Sequence, residues 1–321
     1  MRKYVAQRHR LPLMASSMAA SLGVGFDASR ADADMICPAW QYPHCGTSIS
    51  IHARCTGWDA SADSPSTVIE PASTRDHTER LLHLMGVTVT REGLRVTVEP
   101  PTKRLIVPHE AGAALEIPGD PSSAAFFAVA GAICKGSHLL MTRVGLNSSR
   151  MHFLKVLQRM DAGIVWDIWP DPWEVLGKIE VRGSELQATT IEAAEVPLLI
   201  DEVPVLMVAA ACAQGLTTFH GLQELRVKET DRVRSMVTDL RRMGATIEEQ
   251  GPDDLVIMGG ALHGAEVDGF GDHRTVMSLA VAALRAEGST TIHGREAVDK
   301  SFKSFFKLLT DATSPSTVRL S

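Results

Sequence analysis

The sequence predicts an α/β (α+β) protein built from repeated βαβαββ units, and three observations carry that prediction. A pattern of roughly 70–80 residues recurs along the chain, the length of one supersecondary unit. Within it, an acidic turn, an apolar helix, a glycine and a strand are followed by a strand, a loop, an amphipathic helix ending near glycine, and a β-hairpin. One such unit cannot bury both its sheet and its helix faces, so several must pack together around a shared core.

In chain order, the second half of the unit comes first, as Thr67–Val98. The first half then opens with Gly119-Asp120 before the apolar stretch Ala124–Ile133 and Gly136, and His138–Asp167 supplies its second half. Asp201 leads into Pro204–Ala213 and Gly215, followed by Thr217–Ile257. Gly271-Asp272 leads into Val276–Ala286 and Gly288, and a shortened second half follows over Thr290–Leu309. The clearest amphipathic helix has Val233, Met236, Val237, Leu240 and Met243 at three- and four-residue steps, with Arg234, Asp239, Arg241 and Arg242 elsewhere. Gly244 is placed to end it as a left-handed C′ residue.

The half-unit at Thr67 requires an apolar helix over about residues 30–65, and the sequence does not supply one. Cys37–Asp63 scatters Pro38, Pro43, Gly46 and Gly57 among polar residues, which punctuate structure rather than propagate it. This segment is expected to be loosely ordered despite Trp40 and Trp58, and a shifted reading frame or an artificial junction just before Ser66 is its expected origin. In the first 26 residues, Arg2, Lys3, Arg8 and Arg10 precede a Ser/Ala/Leu-rich stretch with no acid before Asp27. That stretch reads either as a targeting peptide or, more plainly, as a helix or irregular arm.

Composition excludes several classes. A net charge of −6 and a pI near 6.1 argue against a surface for nucleic acid while leaving room for a local anion pocket. The longest apolar runs, Ala124–Ile133 and Val203–Ala213, fall well short of the roughly 20 residues of a membrane span. The five cysteines form no paired short spacing, so a disulfide framework is not expected, and a reducing, cytoplasmic setting is. Cys37, His44, Cys45, His52 and Cys55 lack the usual zinc-ligand spacings, and no metal is expected.

The densest group of candidate functional residues is Glu224–Arg232, at the entry to the amphipathic helix, with Thr230 as a candidate cap. Such alternating charge reads as a solvated helix face or as a site. Lys228 and Arg232, four apart, would share a helix face and repel unless an anion bridged them. Glu229 would supply a carboxylate for proton transfer. In Gly271–Arg274, Asp272 is either a plain N-cap beside a surface Arg274, or the acidic edge of an anion site in which Arg274 and a helix N-terminus point the same way. Asp201, before Glu202, Val203 and Pro204, is either a plain N-cap or the repeat equivalent of Asp272 at a shared site. Lys300 adds a cation, Asp120-Pro121-Ser122-Ser123 marks a turn into a helix, and Arg75–Glu79 is either a capping box or a ligand-facing edge.

Together these motifs resemble the EPSP synthase (3-phosphoshikimate 1-carboxyvinyltransferase) family, and within it the glyphosate-tolerant bacterial type. The resemblance runs over about residues 66–311 through Thr67–Pro71, Thr74–Glu79, Gly119–Ala124, Arg226–Arg232, Gly271–Arg274 and Lys300–Phe302. It implies two similar domains of βαβαββ units that close around shikimate 3-phosphate and phosphoenolpyruvate, with no cofactor. The implied division is 1–65 as a non-matching segment, 66–108 as the last unit of the N-terminal domain, 109–311 as a complete C-terminal domain, and 312–321 as a tail, the N-terminal domain being largely missing. By the same resemblance Asp201 is proton acceptor and shikimate-phosphate ligand, Lys228 a further ligand and catalytic group, and Glu229 the second acid/base. Arg232 and Arg274 anchor phosphoenolpyruvate, Lys300 lies near its phosphate, and Arg75 binds substrate. Residues 1–65 carry none of the family's N-terminal motifs: the PGDKS-like lysine segment, the glycine-rich phosphoenolpyruvate loop, a further arginine and the SAQ or SSQ phosphate motif. A related enzyme making enolpyruvyl-UDP-N-acetylglucosamine shares the fold but does not usually carry the Arg226–Arg232 or Asp272-His273-Arg274 motifs. The expected activity is enolpyruvyl transfer to the 5-hydroxyl of shikimate 3-phosphate, the alternative being a chain that binds anions without turnover. A monomer is expected, with self-association where an apolar face stays open.

Overall fold

The computed structural model describes residues 64–103, 105, 116–171 and 173–313, together with the backbone of three short strands at 4–7, 16–18 and 318–320. The expectations for Cys37–Asp63, including the two tryptophans and the Cys/His group, lie outside the described residues.

The first half-unit forms as its pattern predicts: strand β3 (Ser66–Ile69), helix α1 (His77–Leu84), and the hairpin β4 (Val89–Glu92) and β5 (Arg95–Val98) in a sheet ordered β3-β5-β4. Residues 116–313 then supply most of the strands of three four-stranded sheets on one plan. In the first, β6 (His138–Gly145) pairs antiparallel with β8 (Leu176–Arg182), which carries β7 (Gly163–Trp169) at the edge. In the second, β10 (Leu216–Phe219) pairs with β12 (Asp254–Met258), flanked by β11 (Thr246–Gln250), and takes β9 (Thr190–Ile191) as a parallel neighbour. The third is centred on β14 (Ser289–His293), with β13 (Glu266–Asp268) parallel to it.

Two strands from the N-terminal segment complete this symmetry. β2 (Ser16–Met18) lies parallel to β6, in the place that β9 and β13 hold in the other sheets. β1 (Tyr4–Gln7) pairs antiparallel with β14 on one side and β15 (Val318–Leu320) on the other, standing in for the hairpin that the shortened last half-unit lacks. The helix or irregular arm expected at the N-terminus is thereby corrected at 4–7 and 16–18, and the expected tail carries a strand at 318–320. The physical reason is the open edge of β6 and β14, whose unpaired N–H and C=O groups favour any strand that reaches them.

The core lies between the sheets, where α2 (Pro121–Ile133), α4 (Val203–Cys212) and α6 (His273–Ala283) pack on one another. These helices are apolar on nearly every side, so they are buried all round rather than along one stripe. The helices α3 (His152–Arg159), α5 (Arg232–Arg242) and α7 (Phe305–Ala312) are amphipathic and bury one stripe each. In α5 the buried apolar residues are Val233, Met236, Val237 and Leu240, as the spacing predicts, and Gly244 follows in the left-handed conformation at φ 91°. Gly86 after α1 does the same at φ 85°, but after α3 the position is held by Asp161 at φ 59°, an acceptable left-handed residue because its short polar side chain tolerates that region.

Three capping expectations are resolved. Asp120 and Asp272 are N-caps of α2 and α6, accepting from the backbone N–H groups of Ser122 and Ser123, and of Arg274 and Thr275. Asp231, not Thr230, caps α5 through the N–H of Arg234 at 2.8 Å. Asp201 caps nothing, since α4 begins at Val203 behind Glu202, and its carboxylate is therefore available to the site.

Two outcomes follow from the core. Phe305, fully buried, makes edge contacts with Phe126 and Phe127 of α2 at ring-centroid distances of 6.0 and 5.6 Å. Phe305→Ala is expected to cost about 3–5 kcal/mol in urea unfolding, from lost transfer energy and the cavity left behind. Asp239 of α5 is fully buried between Arg242 (2.8 Å) and the backbone N–H of Asp268 (3.1 Å), and burial pushes its carboxyl up from 3.8 to about 6. Because the folded value exceeds the unfolded one, the native state binds the extra proton and this group's contribution falls as pH rises through that window. Asp239→Asn is expected to stabilise the fold by roughly 1–3 kcal/mol above pH 6, with the gain vanishing toward pH 4 in pH-resolved denaturation.

Candidate active site

At one end of the core helices, arginines from three segments converge on Asp201. Arg75, just before α1, donates from Nη2 to Asp201 Oδ2 at 2.7 Å. Arg232, the first residue of α5, places Nη1 3.5 Å from Asp201 Oδ1, Nε 2.8 Å from Asp272 Oδ2 and Nη2 2.5 Å from Glu229 Oε2. Arg274, in the first turn of α6, donates from Nη1 to the Asp201 backbone carbonyl at 3.1 Å. Its Nε lies 3.3 Å from Asp201 Oδ1, yet is buried without a hydrogen bond.

The cluster sets three guanidinium groups against three carboxylates. Burial alone would raise the Asp201 carboxyl, but the charges of Arg274, Arg75 and Arg232 outweigh it and hold the group well below the usual carboxylate range. Asp272 moves the same way: burial opposes, and Arg232 prevails. Neighbouring Glu202 moves oppositely, pushed up by burial and then by the adjacent Asp201 charge. Two consecutive carboxyls are thus driven apart, Asp201 downward and Glu202 upward.

Of the sequence-predicted residues, the structure brings together Asp201, Glu229, Arg232, Arg274 and Arg75. The expected pairing of Lys228 with Arg232 on one helix face is corrected: Lys228 closes the 3-10 turn Leu222–Val227 in extended conformation, four residues before α5 begins. The repulsion inferred from the spacing is therefore absent, and Lys228 Nζ instead meets Glu224 Oε1 at 2.7 Å. Lys300 is exposed at the end of the turn Arg295–Lys300 and makes none of the cluster's contacts. Arg274 is not a surface residue, its side chain being only 15% exposed. No group of residues suited to a metal ion occurs among the described residues.

Sequence reasoning passed over Arg150, which donates to Asp120 Oδ1 at 2.9 Å and to Ser122 Oγ at 2.8 Å, Ser122 in turn donating to Glu202 Oε1 at 2.5 Å. The repeat held the signal. Counted back from Met85-Gly86 and from Met160-Asp161, Arg75 and Arg150 occupy the same register position before their helices.

Removing the central carboxylate tests this charge balance. Asp201→Asn leaves three guanidinium groups around a neutral amide, and a broken buried ion cluster of this kind costs roughly 3 kcal/mol. Thermal unfolding is expected at a lower temperature than for the parent chain, with inorganic phosphate restoring more stability to the variant than to the parent.

The comparisons with known proteins identify the family. The family model for EPSP synthase (3-phosphoshikimate 1-carboxyvinyltransferase) matches residues 59–309. The chain is 46% identical over 253 residues to the 3-phosphoshikimate 1-carboxyvinyltransferase of Acaryochloris marina, covering 77% of this chain and 55% of the relative. Against the Synechococcus elongatus protein of the same name it is 46% identical over 254 residues, covering 77% and 54%. A solved EPSP synthase structure from Acinetobacter baumannii superposes with a TM-score of 0.74 at 36% identity, over 80% of this chain and 58% of that one. The chain spans about 55% of the length of the curated relatives it matches. With that coverage at that identity, and the repeat and charge cluster in place, the chain belongs to the EPSP synthase family.

Proposed function

We propose that the site serves enolpyruvyl transfer from phosphoenolpyruvate to the 5-hydroxyl of shikimate 3-phosphate, releasing phosphate, as a cytoplasmic enzyme of the glyphosate-tolerant type. The observation that carries this reading is the convergence of Arg75, Arg232 and Arg274 on Asp201 in a chain of this family. Both substrates are multiply charged anions, and guanidinium groups are suited to carboxylate and phosphate because their donors form a planar fork. The proposed organisation keeps residues 66–108 as the last unit of one domain, 109–311 as the other domain, and 1–65 and 312–321 as the segments outside them.

In this reading Asp201, firmly ionised, accepts the hydrogen of the attacking 5-hydroxyl and contacts the phosphorylated ring. Its depressed proton affinity suits it to orient the hydroxyl in the resting site and to accept the proton once an anionic ligand has drawn Arg75 away and shares the charge of Arg232 and Arg274. Arg232 and Arg274 hold phosphoenolpyruvate, and the Nε of Arg274, which faces Asp201 without a hydrogen bond, is a donor that the ligand can engage. Glu229, its side chain 36% exposed, is the most accessible carboxylate of the cluster. An incoming substrate carboxylate takes over its place on Arg232, and Glu229 then serves as the acid/base group for the enol methylene, with Lys228 beside it as ligand and catalytic partner. Lys300 joins the phosphate by movement of its exposed turn. Stabilising the charge on the departing phosphate is then the task of fixed cations rather than of a cofactor.

A second reading, favoured by the coverage of only about 55% of each relative, is a chain that binds anions without turnover. Exposed Ile69, Leu81 and Leu94 in the first unit suit self-association in that case. Phosphate release with both substrates separates the readings. Turnover by the 321-residue chain that falls about 100-fold or more in Asp201→Ala and Arg232→Ala supports the transferase. Calorimetric binding of shikimate 3-phosphate with no phosphate release supports the second reading.

A further inference from the structure

The first unit meets the rest of the protein through a buried polar contact that the transfer reaction does not use. Asn147 and Glu174 are 1% and 2% exposed. Asn147 follows β6, and its Oδ1 accepts from the backbone N–H and the hydroxyl of Ser149 at 2.9 and 2.8 Å. This fixes the amide orientation and aims Nδ2 at Asp76 Oδ1, 2.6 Å away, and at Glu174 Oε2, 3.2 Å away. The other oxygen of Glu174, in the turn between β7 and β8, bonds His77 Nδ1. Asp76 and His77 directly follow Arg75, so the two clamped residues define the backbone from which Arg75 extends to Asp201.

A buried carboxylate is costly unless its acceptors are satisfied, and Glu174 is satisfied across the junction by a ring of the first unit. Apolar packing offers little alternative support, because α1 has no buried residue. We propose that Asn147 and Glu174 are positioning residues that clamp Asp76 and His77 and thereby hold Arg75 in the geometry that receives the phosphorylated substrate. The proposal rests on the reading that Arg75 binds substrate, with shikimate 3-phosphate as the one it contacts.

The test uses the full chain and five variants: Glu174→Ala, Asn147→Ala, Glu174→Gln, Arg75→Ala, and the double variant Arg75→Ala with Glu174→Ala. Without ligand, amide hydrogen exchange over residues 70–84 is expected to rise about tenfold in each single alanine variant of the clamp, while residues 203–283 stay unchanged and Glu174→Gln, which keeps one of the two acceptor oxygens, falls between the parent and Glu174→Ala. With shikimate 3-phosphate in calorimetry, Glu174→Ala is expected to weaken binding about five- to tenfold, and the double variant to bind no more weakly than Arg75→Ala alone, because both changes act through one guanidinium. Unchanged exchange over 70–84, or a rise spread across the whole chain, overturns the clamp. So does a full further loss from Glu174→Ala in the Arg75→Ala background. If the parent chain does not bind shikimate 3-phosphate, the functional reading fails and the exchange measurement alone decides the clamp.

Discussion

The arrangement depends on one carboxylate. Asp201 sits where the turn before α4 meets the starts of α5 and α6 and the segment before α1, and it meets a guanidinium from each of the last three. Without it the arginines would repel one another at close range. With it they are gathered, oriented and held short of full saturation, which is the condition an anion site needs. Asp272 secures Arg232 from the other side while also capping α6, so one residue serves both helix and site.

Repetition explains why these groups meet. Three sheets share one plan around three buried helices, so the N-termini of those helices open at the same end of the domain. Acidic residues at the same place in each head, Asp120, Asp201 and Asp272, then lie within reach of arginines from their own and from neighbouring units. The head at Asp201 departs from the others by starting its helix one residue later, at Val203 behind Glu202, and that offset converts a cap into a ligand for three arginines.

Much of this was legible in the sequence, and the failures have identifiable causes. Apolar spacing located the buried stripe of α5, and the recurrence of acidic turn and apolar helix located the three core helices. Five of the seven candidate site residues meet in one cluster because the repeat fixes where each helix begins. Lys228 was misplaced for a local reason: a helix was assumed to run through Glu224–Arg232, whereas Asp231 interrupts it with a capping conformation and leaves Lys228 extended. The strands at 4–7 and 16–18 and at 318–320 left no periodic signal, being three or four residues long and recruited by strand edges that only the folded domain presents. Asn147 and Glu174 were equally invisible, since their role depends on which residues a hairpin turn and a loop meet in space.

The attachment of the first unit differs in kind from the packing of the domain. The core of 116–313 is set by close-packed apolar groups, which tolerate little displacement. The unit at 66–98 buries Val87, Val96 and Val98 within itself but leaves Ile69, Leu81 and Leu94 exposed, and it meets the domain through Arg75, Asp76 and His77. Polar junctions of this sort are geometrically demanding but individually modest in net energy, because each bond replaces one made to water. An anion binding between Arg75 and the domain arginines therefore acts on the softest part of the structure. The guanidinium from the first unit follows the ligand, whereas Arg232 and Arg274, seated at the starts of packed helices, stay in place to receive it.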